Sequence, residues 1–205
     1  MPIATDPPSE ATRAETRRTQ IRAAAADCFR QHGFHGTSIA QISKVAGMST
    51  GHIYHYFENK EAIIADIVAQ DLERLLDLTA ELRAASDVKA AMIERAVECV
   101  QNNLDPGTAA LQLEIVAEAA RNPHIAEIVQ TADKQCRDSL TDTLRALRQS
   151  AGHRDSESTL SGMAEAIAAM FEGLRIRAIR NPGLDRDSVA QTFRKMVHDL
   201  LTQTP

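Results

Sequence analysis

Apolar residues recur at three- and four-residue steps along almost the whole chain, the period of an amphipathic helix rather than a strand. Ile21, Ala24, Ala25, Cys28 and Phe29 share one face, and Gly33 offers the left-handed stop that ends a helix. This predicts a first helix over about 12–32, opened by Thr12-Arg-Ala-Glu15, which has the spacing of a capping box. Two short helices follow at about 38–46 and 50–57, divided by Gly47-Met48-Ser49; Thr37 or Ser38 is placed to cap the first and Ser49 the second. Asn59 then starts a long helix running to about Arg83, with Ile63, Ile64, Ile67, Val68, Leu75, Leu76 and Leu82 near helical spacing. Further helices are predicted at about 87–103, 107–121, 124–150, 157–180 and 186–202, separated by Asp105-Pro106-Gly107, Asn122-Pro123, Gly152 to Asp155, and Asn181-Pro182-Gly183. Residues 1–9 carry three of the seven prolines and no period, which predicts a mobile tail.

Composition narrows the class. Aromatics are 3% of the 205 residues, Trp is absent and Gly (9) and Pro (7) are few, so the chain is expected to be all-α, with length for one or two domains. The apolar runs at 62–68 and 164–171 stop far short of the ~20 residues a membrane span needs. With no signal-peptide core over residues 1–8, the expected location is cytoplasmic and no membrane partner is expected. Cys28, Cys99 and Cys136 lie far apart without a C-x-x-C pair, which argues against a disulfide framework or a zinc ribbon.

The net charge of −5 conceals an asymmetry. Residues 1–60 hold seven basic and five acidic side chains and four of the seven histidines, whereas the remainder holds 16 basic and 23 acidic ones. A weakly basic N-terminal part on an acidic body places any contact with a polyanion at the N-terminal end.

The informative stretch is Thr37 to Phe57, TSIAQISKVAGMSTGHIYHYF. A helix-turn-helix needs apolar residues where two short helices face each other, a small residue at their crossing and a glycine in the turn. Ile39, Ile42, Val45 or Ala46, Met48, Ile53 and Phe57 supply the apolar set, Ser43 the crossing and Gly47 the turn. Together with the helix at 12–32, Gly33-Phe34, Thr37-Ser38, Ser49-Thr50-Gly51, Tyr54-His55-Tyr56-Phe57 and Lys60-Glu61-Ala62, this ordered set resembles the TetR family of bacterial transcriptional regulators. The resemblance covers about residues 12–65, with Ser43 where alanine is commonest. It implies a three-helix DNA-binding domain over 1–60 and a helical ligand-binding and dimerisation bundle over 61–205. The implied function is a homodimeric repressor, released from a palindromic operator in double-stranded DNA when a small-molecule effector binds the C-terminal bundle.

The residues agree with that expectation. A major groove admits one helix, whose start meets phosphates and base edges first. Thr50, Gly51, His52, Tyr54 and His55 are therefore the leading candidates, with Ser49 and Ser38 at the two helix starts, and with Thr37 and Lys60 to hold the DNA backbone in register. Arg13, Arg17 and Arg18 are candidates for flanking phosphates or a minor groove. His32-x-x-His35 and His52-x-x-His55 have no neighbouring cysteine or carboxylate to complete a metal site, so no metal and no cofactor is expected. Arg137 beside Cys136 is the one hint of an activated thiol. No G-x-S-x-G, P-loop or H-E-x-x-H is present, which argues against an enzyme. A helical adaptor that binds protein is the alternative, and steep salt dependence of DNA binding discriminates against it.

In the C-terminal part, Leu160, Met163, Ile167, Phe171 and Leu174 on one helix and Val189, Phe193, Met196, Val197 and Leu200 on the last suggest a four-helix seam between two copies. The alternative is that these faces fill each subunit's own core. An effector cavity among the helices at about 87–180 would be walled mainly by aliphatic residues, Phe171 being the one aromatic there. Glu114, Glu118 and Arg121 are its polar candidates, Glu118 to pair with a cationic or donor group, against the reading that all three are solvated or paired within the chain.

Overall fold

The computed structural model describes residues 10–202, and every regular element among them is a helix. The tail expected over 1–9 lies outside the described residues. The chain divides into two compact units between Ile67 and Val68.

The first unit contains α1 (Glu10–Gly36), α2 (Ile39–Ala46), α3 (Thr50–Tyr56) and the start of α4 (Lys60–Ala84). α1 is already helical at Glu10, so the capping box proposed at Thr12 does not form. The Thr12 carbonyl instead accepts from the Thr16 hydroxyl inside the helix, while the Glu15 carboxylate accepts from Thr19 and Arg22. Gly33 breaks α1 at φ 70°, ψ 168°, a backbone conformation that a residue with a Cβ adopts only under strain. Ile21, Ala25, Phe29, Ile42, Ile53, Phe57, Ile63 and Ile64 are buried, drawn from α1, α2, α3 with the residue capping its end, and the start of α4. An ion network fixes α1 to α4: Asp66 accepts from Arg18 at 2.6 Å and from Arg22 at 2.7 Å, and Arg22 also holds Glu15 at 2.7 Å. Burial alone would raise the Asp66 pKa, but the hydrogen bonds from Arg18 and Arg22 outweigh it and hold the carboxyl below its usual range.

The second unit contains the rest of α4 with α5 (Val88–Asn103), α6 (Pro106–Ala119), α7 (Pro123–Ser150), α8 (Glu157–Arg180) and α9 (Arg186–Thr202). Asp87, Asp105, Asn122 and Ser156 cap α5 to α8, each accepting from an orphan amide at the helix start. α9 packs on α5, and α8 packs on α5, α6 and α7. One core joins Leu82, Met92, Ile93, Ala96, Leu144, Leu147, Leu160, Met163, Ile167, Val197 and Leu201; a second joins Val100, Leu104, Ala109, Leu174, Ala178 and Ala190. Arg148 is buried under the α7–α8 turn, where its guanidinium takes both carboxylate oxygens of Asp155 and the Leu201 carbonyl.

This packing corrects five residues expected at a seam between copies. Leu160, Met163, Ile167, Leu174 and Val197 are buried inside one subunit, where they fill the hydrophobic space between α8, α9 and their neighbours. Phe171, Val189, Phe193 and Leu200 are half-buried against the same cores, and Met196 is 45% exposed.

Candidate functional site

The helix-turn-helix is built from local signals. Ser38 caps α2 with extended backbone: its Oγ accepts from the Gln41 amide at 3.2 Å, and the Gln41 side-chain oxygen accepts from the Ser38 amide at 2.7 Å. α2 turns Ile42, Ser43 and Ala46 inward and ends at Gly47, left-handed at φ 64°. Ala46 rather than Val45 fills the core position, and Val45 stands 55% exposed. Ser49 caps α3 by accepting from the His52 amide at 3.2 Å, and Phe57 closes it by donating its amide to the Ile53 carbonyl. Gln20 of α1 donates to the Ala46 carbonyl at 2.7 Å, fixing the turn between the two helices.

Within α3 only Ile53 is buried. Thr50, Gly51, His52, Tyr54 and His55 all face outward, Tyr54 at 56% exposure. The His52 and His55 rings stack with centroids 6.4 Å apart, and Tyr56 meets them edge-on at 5.3 and 5.0 Å. The result is a seven-residue helix anchored through Ile53 that presents hydroxyl, phenol and imidazole groups on its open side.

Two other candidates are engaged inside the protein. Thr37 is 2% exposed, and its hydroxyl donates to the Gly33 carbonyl at 2.8 Å. The Lys60 ammonium donates to the carbonyls of Phe34 at 2.7 Å and Thr37 at 2.5 Å and lies 4.5 Å from the centre of the Phe34 ring. Both residues therefore set the α1–α2 connection. Arg18, expected near phosphates, is bound to Asp66 and stacked on Phe57, whereas Arg13 and Arg17 are exposed.

In the second unit Glu118 is 1% exposed, and its carboxylate accepts from Arg121 at 3.2 Å and from Asn122 at 3.5 Å. It is held by residues at the end of its own helix. Glu114 and Phe171 are half-buried, and Phe171 packs on Phe193 at 5.5 Å between centroids. A cleft of about 220 Å³ lies elsewhere, at the α7–α8 turn, lined by residues including Arg145, Arg148, His153 and Asp155. None of Glu114, Glu118, Arg121 and Phe171 lines it.

A polar cluster that the sequence reading missed lies inside this unit. Arg175 of α8 donates from Nε to Asn103 Oδ1 of α5 at 2.8 Å, and Asn103 donates to the Cys99 carbonyl at 2.9 Å. Gln112 of α6 donates to Asp71 of α4 at 2.6 Å, and Arg74 holds the other oxygen of Asp71 at 3.0 Å. Burial pushes the Cys99 and Cys136 thiols up, and Arg137 is engaged by Asp133 and Glu165, so the hint of an activated Cys136 does not hold. Among the described residues no group of His, Cys, Asp and Glu could hold a metal ion, and no helix is long and apolar enough to cross a membrane.

A helix-turn-helix that buries one residue of its second helix and exposes five of the other six, followed in the chain by a six-helix unit, defines a DNA-binding transcriptional regulator. Residues 21–67 match the family described as bacterial regulatory proteins, tetR family, and residues 92–202 match the BetI-type transcriptional repressor C-terminal family. The chain belongs to the TetR family: it is a ligand-responsive DNA-binding regulator of the repressor type, not an enzyme. Proteins of this family bind operator DNA, act as dimers and take small-molecule effectors. Among curated relatives, the HTH-type transcriptional regulator UidR of Escherichia coli K12 is 30% identical, across 93% of this chain and 96% of that protein. The structure of Salmonella enterica GusR superposes with a TM-score of 0.75 at 29% identity, covering 98% of this chain and 99% of that one. FadR from Bacillus subtilis, solved in complex with stearoyl-CoA, shares the fold at a TM-score of 0.74 and 18% identity, covering 91% and 99%.

Proposed function

We propose that two copies of the chain bind a palindromic operator by placing α3 of each in adjacent major grooves, with a DNA-binding domain over 1–60 and a ligand and dimer domain over 61–205. The observation that carries this reading is the open face of α3, where Thr50, Gly51, His52, Tyr54 and His55 are exposed while Ile53 alone is buried. Thr50 and His52 have the groups to hydrogen-bond base edges, and Gly51 lets the backbone come close. Tyr54 and His55 offer a phenol and an imidazole to phosphates, and the Ser49 hydroxyl, which accepts from His52, keeps its proton to donate. Ser38, Thr37 and Lys60 act at one remove, by fixing the starts of α2 and α4.

The seam between copies forms from what each subunit leaves outward. On α8, Gly162, Ala166, Ala169 and Ile176 are exposed, half-buried Gly173 continues their three- and four-residue steps, and a Cβ at Gly162 or Gly173 would meet nothing within 4 Å. Met196 of α9 is exposed, and Phe193, Val189 and Leu200 border it. An effector in the second unit releases DNA by favouring a spacing of the two α3 helices that no longer fits adjacent grooves, which requires tighter binding to that state. The protein works in the cytoplasm, on the bacterial chromosome. In a test with the full chain, duplexes selected from a random pool share an inverted repeat, and their affinity falls steeply with salt. Enrichment of no symmetric sequence, or salt-insensitive binding, contradicts the reading.

A further inference from the structure

We propose that Arg175 is the anion-binding group of the effector site, taking carboxylate or phosphate oxygens of an organic anion on its two Nη groups. This rests on the reading that the second unit is where an effector acts, and it names the chemistry that unit selects.

Among the described residues the two buried guanidiniums are paired with carboxylates, although the Nε of Arg22 has no partner. Arg22 holds Asp66 and Glu15, and Arg148 holds both oxygens of Asp155. Arg175 differs. Its Nε is satisfied by a neutral amide oxygen, that of Asn103, while its Nη groups have no hydrogen-bond partner and no carboxylate among the described residues pairs with it. The Asn103 amide is itself tied to the Cys99 carbonyl, so the fork is held in place from α5 with its outer nitrogens unengaged. A planar fork of this kind matches the two oxygens of a carboxylate or phosphate.

The surrounding charges leave that role open. Asp71 is occupied by Gln112 and Arg74, and Glu172, on the same helix, is exposed. Burial pushes the Arg175 pKa down from its ordinary value, Glu172 and Asp71 oppose that shift, and Arg74 adds to it. The guanidinium nevertheless stays charged and half-buried, so an anion is favoured at its unengaged Nη groups and a cation is repelled. Glu118, by contrast, already has Arg121 and Asn122 on its oxygens, so it is not the group that would draw a cationic ligand.

The test uses matched probes on alkyl, aryl and polyol skeletons: each skeleton as carboxylate, phosphate monoester, neutral amide and amine, with inorganic phosphate as a control. Thermal stabilisation reads binding, and operator release reads effector control. At least one carboxylate or phosphate ester should raise the melting temperature of the full chain where its amide and amine do not, and which of the two does so identifies the anion. Asn103→Asp supplies an internal carboxylate to Arg175 and should weaken that anion by roughly tenfold or more, as should Arg175→Met. Each variant's own melting transition shows that it folds, and Arg175→Lys, which keeps the charge but not the fork, should fall between wild type and Arg175→Met. No stabilisation by any anion, stabilisation by inorganic phosphate alone, or an undiminished response in both Asn103→Asp and Arg175→Met overturns the proposal. Operator release by amides or amines only overturns it while leaving effector control standing. Arg175-dependent anion binding without operator release keeps the anion site and removes effector control.

Discussion

Lys60 illustrates how one residue can hold a site together without touching the ligand. Its ammonium gathers the Phe34 carbonyl, in the last turn of α1, and the Thr37 carbonyl, in the connection to α2. Removing it takes a charged donor from two carbonyls, of which that of Phe34 also accepts from the Thr37 amide at 3.3 Å, so Lys60→Ala should lower stability by about 1–3 kcal/mol in urea unfolding. Operator affinity should fall with it, but the slope of log affinity against log salt should stay as in wild type. A slope reduced by about one would mean that Lys60 neutralises a phosphate instead. This role was illegible in the sequence because it depends on carbonyls far earlier in the chain. The caps at Ser38 and Ser49 and the left-handed Gly47 were legible, since each acts within four residues. Arg175 escaped notice for the opposite reason: an arginine on a helix is ordinarily solvated, and nothing local marks this one as enclosed.

At the scale of elements, Asp66 joins α1 to α4 through Arg18 and Arg22. The unfolded chain binds the Asp66 proton more tightly than the folded one, because the two arginines hold the folded pKa down. The stabilisation is therefore fully present above an unfolded pKa of about 4 and is lost as pH falls through the lowered folded value. Asp66→Asn should cost about 2–3 kcal/mol at pH 7, since it leaves Arg22 buried with only Glu15, and the difference from wild type should shrink below about pH 4. Urea unfolding at pH 7 and pH 3 checks this, and a pH-independent difference contradicts it. Helix existence and most boundaries followed from the apolar period and its breaks. The start of α1 did not, because Thr12 and Glu15 have capping spacing but the chain is already helical at Glu10, where a capping conformation cannot form.

In the whole molecule, the apolar periods of α8 and α9 announced buried faces without saying what buries them. Leu160, Met163, Ile167, Leu174 and Val197 turn inward, which leaves the small residues of α8 for the seam. Ala169→Glu should give a folded monomer by sedimentation, whereas Leu160→Glu should unfold the subunit. A dimeric Ala169→Glu protein would refute the seam. Whether α3 reads DNA is decided by binding of the wild type, Thr50→Ala, His52→Ala and Tyr54→Ala to a selected operator and to its single-base variants. Thr50→Ala and His52→Ala should lose discrimination at particular base pairs, by about 1–3 kcal/mol each, and Tyr54→Ala should weaken binding to all sequences alike. Identical affinities and identical base preferences across all four proteins would contradict that role for α3.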